Sequence, residues 1–241
     1  MRKKRRYNGK MLTVIIPTWN SETTLPRTLA CLVGPTVRGV VREVIMADRG
    51  SSDGTEEIAE EVGARFITGY STLGASQRAG AHAARAQWLL FLPPETVLEP
   101  GWADEAVSFL ERCERLGAAG LEQAGVFHFA VDDFGAPARR LEALVALRNR
   151  MFALPHGEQG LLISRPFYEK LGGHADLPRM EDVDLAHRIG RPRLSFFRTN
   201  AVTSAARHRT RGAWLRPLRN FACLSLSVAG VPTRVIARHY G

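Results

Sequence analysis

The stretch VREVIMADRGSSDGTEEIAEEVG, residues 41–63, decides the fold class of this protein. Its first eight residues are rich in apolar and β-branched side chains and end at Asp48, which is the composition of a buried β-strand. A polar turn follows, after which Glu56 and Glu57 favour the positive start of a helix and Gly63 ends it. The stretch therefore predicts a strand, a turn and a helix, with a carboxylate at the carboxyl end of the strand.

The same alternation continues on both sides of this stretch. Further apolar strands are predicted in MLTVIIPTW (11–19), ARFITGY (64–70) and QWLLFLPP (87–94), with helical patterns between them. Strands that alternate with helices indicate a parallel sheet covered by helices on both faces. We expect an α/β protein with a Rossmann-like, mostly parallel sheet over residues 11–120. Residues 121–241 form a less regular α+β half.

Two predictions concern the elements of that second half. The segment ARRLEALVALRNRMFAL (138–154) predicts an amphipathic helix. The apolar residues expected near one face of this helix are Leu141, Leu144, Val145, Leu147 and Phe152. The segments RPRLSFFRT (191–199) and AVTSAAR (201–207) predict two short strands.

The net charge of +9 is distributed unevenly along the chain. Residues 1–10 hold six Lys or Arg and no acid, and residues 185–241 hold eleven Arg and no acid, whereas residues 11–184 are acidic on balance. Two basic ends favour an anionic surface or a phosphate-bearing ligand. Residues 1–10 are interpreted as a disordered solubilising tail or as an attachment to an anionic membrane surface. Nucleic acid is disfavoured because the basic ends lack interleaved aromatic residues.

Cysteine spacing and hydropathy limit the compartment that we expect. Cys31, Cys113 and Cys223 lie far apart and form no C-x-x-C pair, which disfavours a disulfide framework or a zinc cluster and fits a reduced compartment. The basic start lacks the apolar region of a signal peptide, and no run of about 18 apolar residues predicts a membrane span. We therefore expect a cytoplasmic protein.

Polar groups follow the predicted strands where parallel strands would end together. Asp48 ends the second strand, and the loop of Pro17, Thr18, Trp19 and Asn20 after the first offers backbone amides and an aromatic ring. The crevice at this edge is where open α/β sheets bind ligands. These groups suit a nucleotide, although Asp48 alone could be a simple turn acid.

Glu95 follows the fourth strand at the same edge. Pro93 and Pro94 precede it and end the strand, because proline cannot donate a hydrogen bond within a sheet. The sequence therefore presents Glu95 as a metal ligand or as the remnant of one.

Further candidate groups lie in the second half. Glu158 and Gln159 stand between glycines, which suits either a ligand pocket or a surface turn. Glu181 and Asp182 begin a predicted helix, so they either cap it or supply a general base. The alternating Arg207, Arg209 and Arg211, with His208 among them, form either a phosphate site or a solvated face.

Taken together, these segments resemble the family 2 glycosyltransferases of the GT-A fold. The matching segments are LTVIIPTWNSETTLPRTL (12–29), EVIMADRGSSDGT (43–55), AQWLLFLPPETVLEPGW (86–102) and MEDVDLAHRIG (180–190). The second half, from RNRMFALPHGEQGLLISRPFYEKLGG (148–173) onward, resembles a bacterial branch of small transferases associated with radical-SAM and selenodomain proteins. The resemblance covers residues 11–241 and implies a single GT-A domain, with a nucleotide-binding half over 11–120 and an acceptor half with basic C-terminal helices over 121–241.

The resemblance implies transfer of a sugar from a nucleotide-diphospho sugar to an acceptor, with inversion and a divalent metal, Mg²⁺ or Mn²⁺. The acceptor is either lipid-linked at the inner membrane face or a small cytosolic molecule. The residues implied to hold the nucleoside are Pro17, Thr18, Trp19, Asn20 and Asp48. Glu95 would bind the metal, and Asp182, beside Glu181, would deprotonate the acceptor. The residues implied to border the acceptor are Gly157, Glu158 and Gln159.

The chain departs from the family pattern at two acidic positions. Arg49 replaces the second acid of the usual D-D-G, and Pro93-Pro94-Glu95 replaces the D-x-D motif, so that only its last acid is present. Arg78 is a candidate for contacting the donor phosphates in partial compensation. The alternative to an active transferase is a scaffold that binds nucleotide sugar without catalysis. A nucleotidyltransferase is disfavoured because no Gly-rich basic loop follows the first strand.

Overall fold

The first half of the chain folds into the predicted alternation of strands and helices. The computed structural model describes residues 11–133, 135–155, 157–177 and 180–204. Its first four strands are β1 (Leu12–Thr18), β2 (Val41–Asp48), β3 (Arg65–Ile67) and β4 (Trp88–Phe91). The helices that connect or follow them are α1 (Leu25–Val37), α2 (Thr55–Glu61), α3 (Leu73–Ala83), α4 (Trp102–Arg115) and α5 (Ala118–Leu121).

The second half adds antiparallel pairing and shorter elements. Its strands, with the short β5 before α4, are β5 (Thr96–Leu98), β6 (Ala124–Val131), β7 (Leu161–Ser164) and β8 (Leu194–Thr203). The helices are α6 (Ala136–Phe152), α7 (Arg165–Lys170) and α8 (Glu181–Ile189). Short 3₁₀ turns cover Gly157–Gln159 and Arg191–Arg193.

Within the described ranges, the strands form one eight-stranded sheet in the order β3-β2-β1-β4-β7-β6-β8-β5. The β3-β2-β1-β4 half is parallel, whereas β7 runs antiparallel to both β4 and β6. Thr18 pairs in register with Asp48, so the carboxyl ends of β1 and β2 lie side by side. The α/β fold with a mostly parallel first half is therefore as predicted.

Strand β1 lies at the centre of the core because helices cover both faces of the sheet. All seven of its residues are buried, and successive side chains of a strand point to opposite faces. Leu12, Val14 and Ile16 pack in one apolar cluster with residues of α1 and α4, and Ile15 packs in another with residues of α3, α7 and α8. Helices α3 and α8 therefore share one face, and this arrangement brings α8 to the candidate site.

The predicted end of the fourth strand is confirmed, and two strand predictions need correction. Strand β4 ends at Phe91, just before the two prolines. Strand β5 was not predicted, and its three residues pair antiparallel with β8. The two short strands predicted near the end are one continuous strand, β8, because this segment pairs with β6 and β5 at once. The predicted AVTSAAR strand extends past Ser204, beyond the described residues.

Helix α6 forms as predicted, but the expected apolar face was wrong. Val145 is buried, and it packs with Leu141 of the same helix against β6. In contrast, Leu144 is 55% exposed, Leu147 53% and Phe152 40%. Residues spaced by three or four positions cover a face wider than the single strand against which α6 packs, so part of the stripe points outward.

Several predictions fall outside the described residues. They concern the basic tail at 1–10, the arginine cluster of Arg207, Arg209 and Arg211 with His208, and the basic C-terminal helices.

Candidate active site

The carboxyl ends of β1 and β2 are joined by side-chain hydrogen bonds. Asp48 is buried, and its Oδ1 accepts hydrogen bonds from Thr18 Oγ1 at 2.8 Å and Ser51 Oγ at 2.6 Å. Its Oδ2 accepts from the backbone N–H groups of Gly50 and Ser51, both at 2.7 Å. Four donors match the acceptor capacity of a carboxylate. Asp48 therefore fixes the turn after β2.

The electrostatics of Asp48 follow from the same contacts. Burial acts to raise the pKa of Asp48, but the hydrogen bonds from Ser51, Thr18 and Gly50 outweigh it and hold this pKa below its ordinary value. The carboxylate is thus ionised at neutral pH. A direct contact with the nucleoside stays a prediction.

The loop after β1 is attached to the same turn. Pro17 and Thr18 lie within β1, and Thr18 is fully buried. Asn20 adopts a left-handed conformation with φ of 47°; its backbone N–H donates to Ser51 Oγ, and its Oδ1 accepts from Ser52 N–H. This leaves the Trp19 side chain 58% exposed at the mouth of the site.

Arg49 directly follows Asp48 at the end of β2, where the resemblance places an acid. Its guanidinium lies 5.4 Å from the centre of the Trp19 ring, within the range of a cation–π contact. Burial lowers the pKa of Arg49, while the charges of Glu181 and Asp48 act in the opposite direction. Its Nε is buried without a hydrogen-bond partner in the structure. A cation thus lies between the ends of the strands and helix α8.

Helix α8 brings the predicted acid pair to the site. Met180 precedes it in a left-handed conformation with φ of 66°, and Glu181 behind it is buried. Asp182 is half-buried, and its Oδ1 accepts from the N–H of Val183 at 2.8 Å. The charge of Asp182 also acts on the half-buried Arg148: burial lowers the pKa of Arg148, and the charge of Asp182 raises it.

The predicted acceptor turn lies directly against Asp182. A Cβ at Gly157 would stand 2.9 Å from Asp182 Oδ2, so a glycine leaves room for the carboxylate. Glu158 is buried, and its carbonyl accepts from Thr96 Oγ1 at 3.3 Å. Gln159 is fully buried; its amide nitrogen donates to the Phe127 carbonyl, and its oxygen accepts from Asn149. These side-chain contacts anchor the turn to the core.

Glu95 lies half-buried in the turn between β4 and β5. Its neighbour Thr96 bonds the turn that faces Asp182, and the carbonyl of Pro94 accepts from Thr28 Oγ1 on α1. Within the described ranges, no group of three or more His, Cys, Asp or Glu side chains could hold a metal. A single carboxylate fits Mg²⁺ or Mn²⁺ only where phosphate oxygens and water complete the coordination.

Arg78 lies on α3, on the face of the sheet shared with α8. Its Nη1 donates to the His174 carbonyl at 3.5 Å, in the loop before α8. The same loop packs on Gly74 of α3, where a Cβ would stand 1.9 Å from the Ala175 carbonyl oxygen. Arg78 therefore contacts the loop that precedes α8.

A buried histidine, His174, holds that loop. His174 Nδ1 lies 2.8 Å from Tyr168 Oη, which also accepts from the His174 backbone N–H. Burial, with the charges of Arg188 and Arg78, lowers the pKa of His174 to about 3. The imidazole is thus neutral at neutral pH. The Arg49–Trp19 contact was not predicted from the sequence; its only signal was the basic residue in an otherwise acidic motif.

A known protein family matches the part of the chain that contains the strand ends of this site. Residues 13–127 match the sequence profile described as Glycosyl transferase family 2. Just under half of the chain therefore resembles this family. The matched segment contains β1 from Thr13 onward, β2 to β4, the Trp19 loop, Asp48 and Glu95, and it ends before α6. No curated protein sequence matches the chain significantly.

Solved glycosyltransferase structures share the fold. Staphylococcus aureus TarS, residues 1–349, aligns with a TM-score of 0.59 and 16% identity over 90% of this chain and 65% of its own. GalNAc-T7 with UDP, GalNAc and Mn²⁺ gives 0.61 and 15% over 82% of this chain and 44% of its own. Glucosyl-3-phosphoglycerate synthase from Mycobacterium tuberculosis, with Mn²⁺, UDP and its product, gives 0.57 and 21% over 93% and 82%. The GT-A fold is thereby confirmed.

Among the described residues, no helix is both long enough and apolar enough to cross a membrane.

Proposed function

We propose that this protein is a glycosyltransferase that moves a sugar from a nucleotide-diphospho sugar to an acceptor hydroxyl with inversion. The observation that carries the proposal is the contact of Asp182 with Gly157 beside the strand ends that belong to the matched family segment. One carboxylate thus faces the turn proposed for the acceptor, while Trp19 and Arg49 face the place proposed for the donor. Two structural neighbours were crystallised with UDP and Mn²⁺, which supports a nucleotide donor.

Each group has one role in this proposal. The Trp19 ring stacks on the nucleoside base, and the Pro17–Asn20 loop and Asp48 shape its pocket. Asp182 takes the proton of the acceptor hydroxyl as that oxygen bonds to the anomeric carbon, and the bond from this carbon to the diphosphate oxygen breaks. Glu181, buried beside it, holds the start of α8 in place, and Gly157, Glu158 and Gln159 form the wall against the acceptor.

The leaving diphosphate needs its negative charge neutralised. Mg²⁺ or Mn²⁺ bound by Glu95 would supply a Lewis acid there. Arg49 is half-buried with an unsatisfied Nε, and it adds a fixed positive charge at the same edge of the sheet. Arg78 is a weaker candidate for this role because its hydrogen bond goes to the loop before α8.

Calorimetric titration with UDP and GDP, each with and without Mn²⁺, tests the donor site. We expect binding to wild type that Mn²⁺ strengthens and that Glu95→Ala reduces to the metal-free level. Glu99→Ala, a nearby acid after β5, is the matched control. Failure of wild type to bind either nucleotide would contradict the proposal.

The second candidate function is a scaffold that binds nucleotide sugar without transfer. The observation that favours it is the acid-poor site, with Arg49 and a single metal-binding acid where the family has more. The two candidates differ in product: only the transferase releases nucleoside diphosphate from a nucleotide sugar, so a panel of nucleotide sugars assayed for UDP and GDP release separates them.

The branch and the location of the protein are also proposals. The resemblance of residues 148–173 supports the bacterial branch associated with radical-SAM and selenodomain proteins. The acid-free, arginine-rich residues 185–241 and the basic residues 1–10 support a cytoplasmic protein that binds the inner membrane surface, with a lipid-linked acceptor.

A further inference from the structure

Exposed apolar side chains gather on the outer side of helix α6. Leu144 is 55% exposed, Leu147 53% and Met151 54%, and their spacing of three and four residues aligns them along the helix. The opposite side of α6 packs on β6 through Ala138 and Val145. The stripe of Leu144, Leu147 and Met151, called here the α6 stripe, is therefore separate from the core contact of the helix.

Arginines border the α6 stripe. Arg140 and Arg150 are exposed on the same helix, and Arg191 Nη1 donates to the Met151 carbonyl at 3.4 Å. The one acid of the helix, Glu142, is engaged by the Val131 N–H and by Arg139. The surface around the stripe is thus apolar at its centre and cationic at its edge.

We infer that the α6 stripe docks on an anionic lipid bilayer. A helix with apolar residues on one side and arginines beside them lies in the membrane interface, with its cations at the headgroup phosphates. A second copy of the chain is a poorer occupant, because an isologous contact between two such surfaces would place arginines against arginines. The inference rests on the proposed membrane association and names the surface responsible for it.

The docked helix would lead the membrane surface to the candidate base. α6 ends at Phe152, and Arg148 fixes the following chain through the carbonyls of Leu154 and Pro155 at 2.7 and 2.8 Å. Gly157, against Asp182, comes directly after this segment. A hydroxyl acceptor that carries a lipid chain would thus reach Asp182 from the membrane side.

Vesicle co-sedimentation of the full chain tests the inference. The vesicles are phosphatidylcholine alone or with about 30 mol% phosphatidylglycerol. Two double variants change the surface: Leu144→Gln with Leu147→Gln, and Arg140→Glu with Arg150→Glu. Their matched controls are Val33→Gln with Val37→Gln, which are exposed on α1, and Arg42→Glu with Arg115→Glu. Melting temperature and UDP titration verify the fold and the donor site of each variant.

We expect wild type and both controls to bind the anionic vesicles and not the neutral ones. Each α6 double variant should bind at least about tenfold more weakly, because it loses either apolar insertion or headgroup attraction. Equal binding by the α6 variants, with a loss in Arg216→Glu with Arg219→Glu, would overturn the inference while leaving membrane association standing. Absence of wild-type binding would overturn both, and UDP titration would still report on the donor site. If wild type forms dimers that the α6 variants abolish, and wild type does not bind vesicles, the α6 stripe would instead be the contact with a second copy of the chain.

Discussion

Two carboxylates of the site are used in opposite ways. Both oxygens of Asp48 accept hydrogen bonds from its own turn and from Thr18, so Asp48 shapes the edge proposed to bind the nucleotide sugar. Asp182 accepts from Val183 N–H through Oδ1, while its Oδ2 faces the glycine turn. Only the second arrangement leaves a carboxylate oxygen beside the turn proposed for the acceptor, and this difference supports the proposal that Asp182 is the general base.

Asp182→Asn should abolish transfer and leave nucleotide binding intact. The amide keeps the shape and the oxygen that caps Val183, but it cannot take a proton, so the rate should fall by at least about 100-fold. UDP release from the active nucleotide sugar and UDP titration measure the two effects. Asp104→Asn, an exposed acid of α4, is the control. If Asp182→Asn lost both UDP binding and the folded state, Asp182 would be a structural residue that caps α8, and the proposed catalytic role would be wrong.

Arg49→Met should weaken the binding of UDP about tenfold and that of uridine far less. Methionine keeps an apolar contact with Trp19 but removes the cation that would meet the diphosphate. A hydrogen bond between an arginine and a phosphate is stronger than one between neutral groups, so this loss should weaken UDP binding. Calorimetry with UDP and uridine on this variant measures the difference. Arg42→Met on the same strand should behave as wild type. An equal loss of affinity for UDP and uridine would instead mean that Arg49 acts on the uridine part of the ligand.

At the scale of elements, the turn at Gly157–Gln159 and helix α8 form one unit. Gln159 anchors the turn to β6 and α6, whereas Gly157 meets Asp182. The loop before α8 rests on α3 and on the Tyr168–His174 pair. The position of the proposed general base, Asp182, therefore depends on contacts made by four separate elements, β6, α6, α3 and α7.

Gly157→Ala should lower the transfer rate without unfolding the protein. The added Cβ would stand 2.9 Å from Asp182 Oδ2, the end of a side chain that can rotate away. We expect a rate loss of about tenfold, because small misplacement of a catalytic group is costly, and a nearly unchanged melting temperature. Gly135→Ala is the control, since its Cβ would approach another carboxylate, Asp133, at 3.2 Å. A full rate would show that Asp182 needs no fixed position.

His174 should make the protein less stable in acid. Its pKa is about 3 in the folded state and about 6.5 when unfolded, so the unfolded state binds the proton first. The contribution of this group is full above pH about 6.5 and is lost as the pH falls toward 3, with a slope of up to about 1.4 kcal/mol per pH unit. Urea unfolding at several pH values measures it. His174→Gln should flatten the profile, and the exposed His82→Gln should not; an unchanged slope in His174→Gln would contradict the assignment.

At the scale of the whole molecule, the sequence predicts what depends on local pattern. The first four strands follow from apolar runs, and Pro93 marks the end of β4 because its ring forbids a ladder hydrogen bond. Contacts distant in sequence were not predictable. Strand β5 is held by β8, about a hundred residues later, and the α6 stripe is exposed because β6 offers only one partner surface.

The site was predictable to the same extent. Thr18 and Asp48, at the ends of β1 and β2, lie side by side as expected, since parallel strands end at one edge. The saturation of Asp48 and the contact of Arg49 with Trp19 depend on loop conformations, such as the left-handed Asn20, that no local pattern specified. The sequence therefore predicted which edge of the sheet holds the candidate site. The loop conformations determine which side chains at that edge are not already engaged in hydrogen bonds.

Gly74 joins the two halves of the molecule, and Gly74→Ala should weaken both. Its Cβ would stand 1.9 Å from the Ala175 carbonyl oxygen and 3.5 Å from Glu181 Cβ, so α3 and the loop before α8 would have to separate. Backbone atoms cannot move aside as a side chain can, and overpacking of this kind costs about 1–3 kcal/mol. The free energy of unfolding measured in urea and the transfer rate should therefore fall together. Gly34 is the control, a helical glycine with no atom within 4 Å of an added Cβ. Gly34→Ala should leave the transfer rate unchanged and raise the free energy of unfolding slightly. Full activity in Gly74→Ala would mean that α8 is positioned without α3, and the base would then depend on the Gly157 turn and the Tyr168–His174 pair alone.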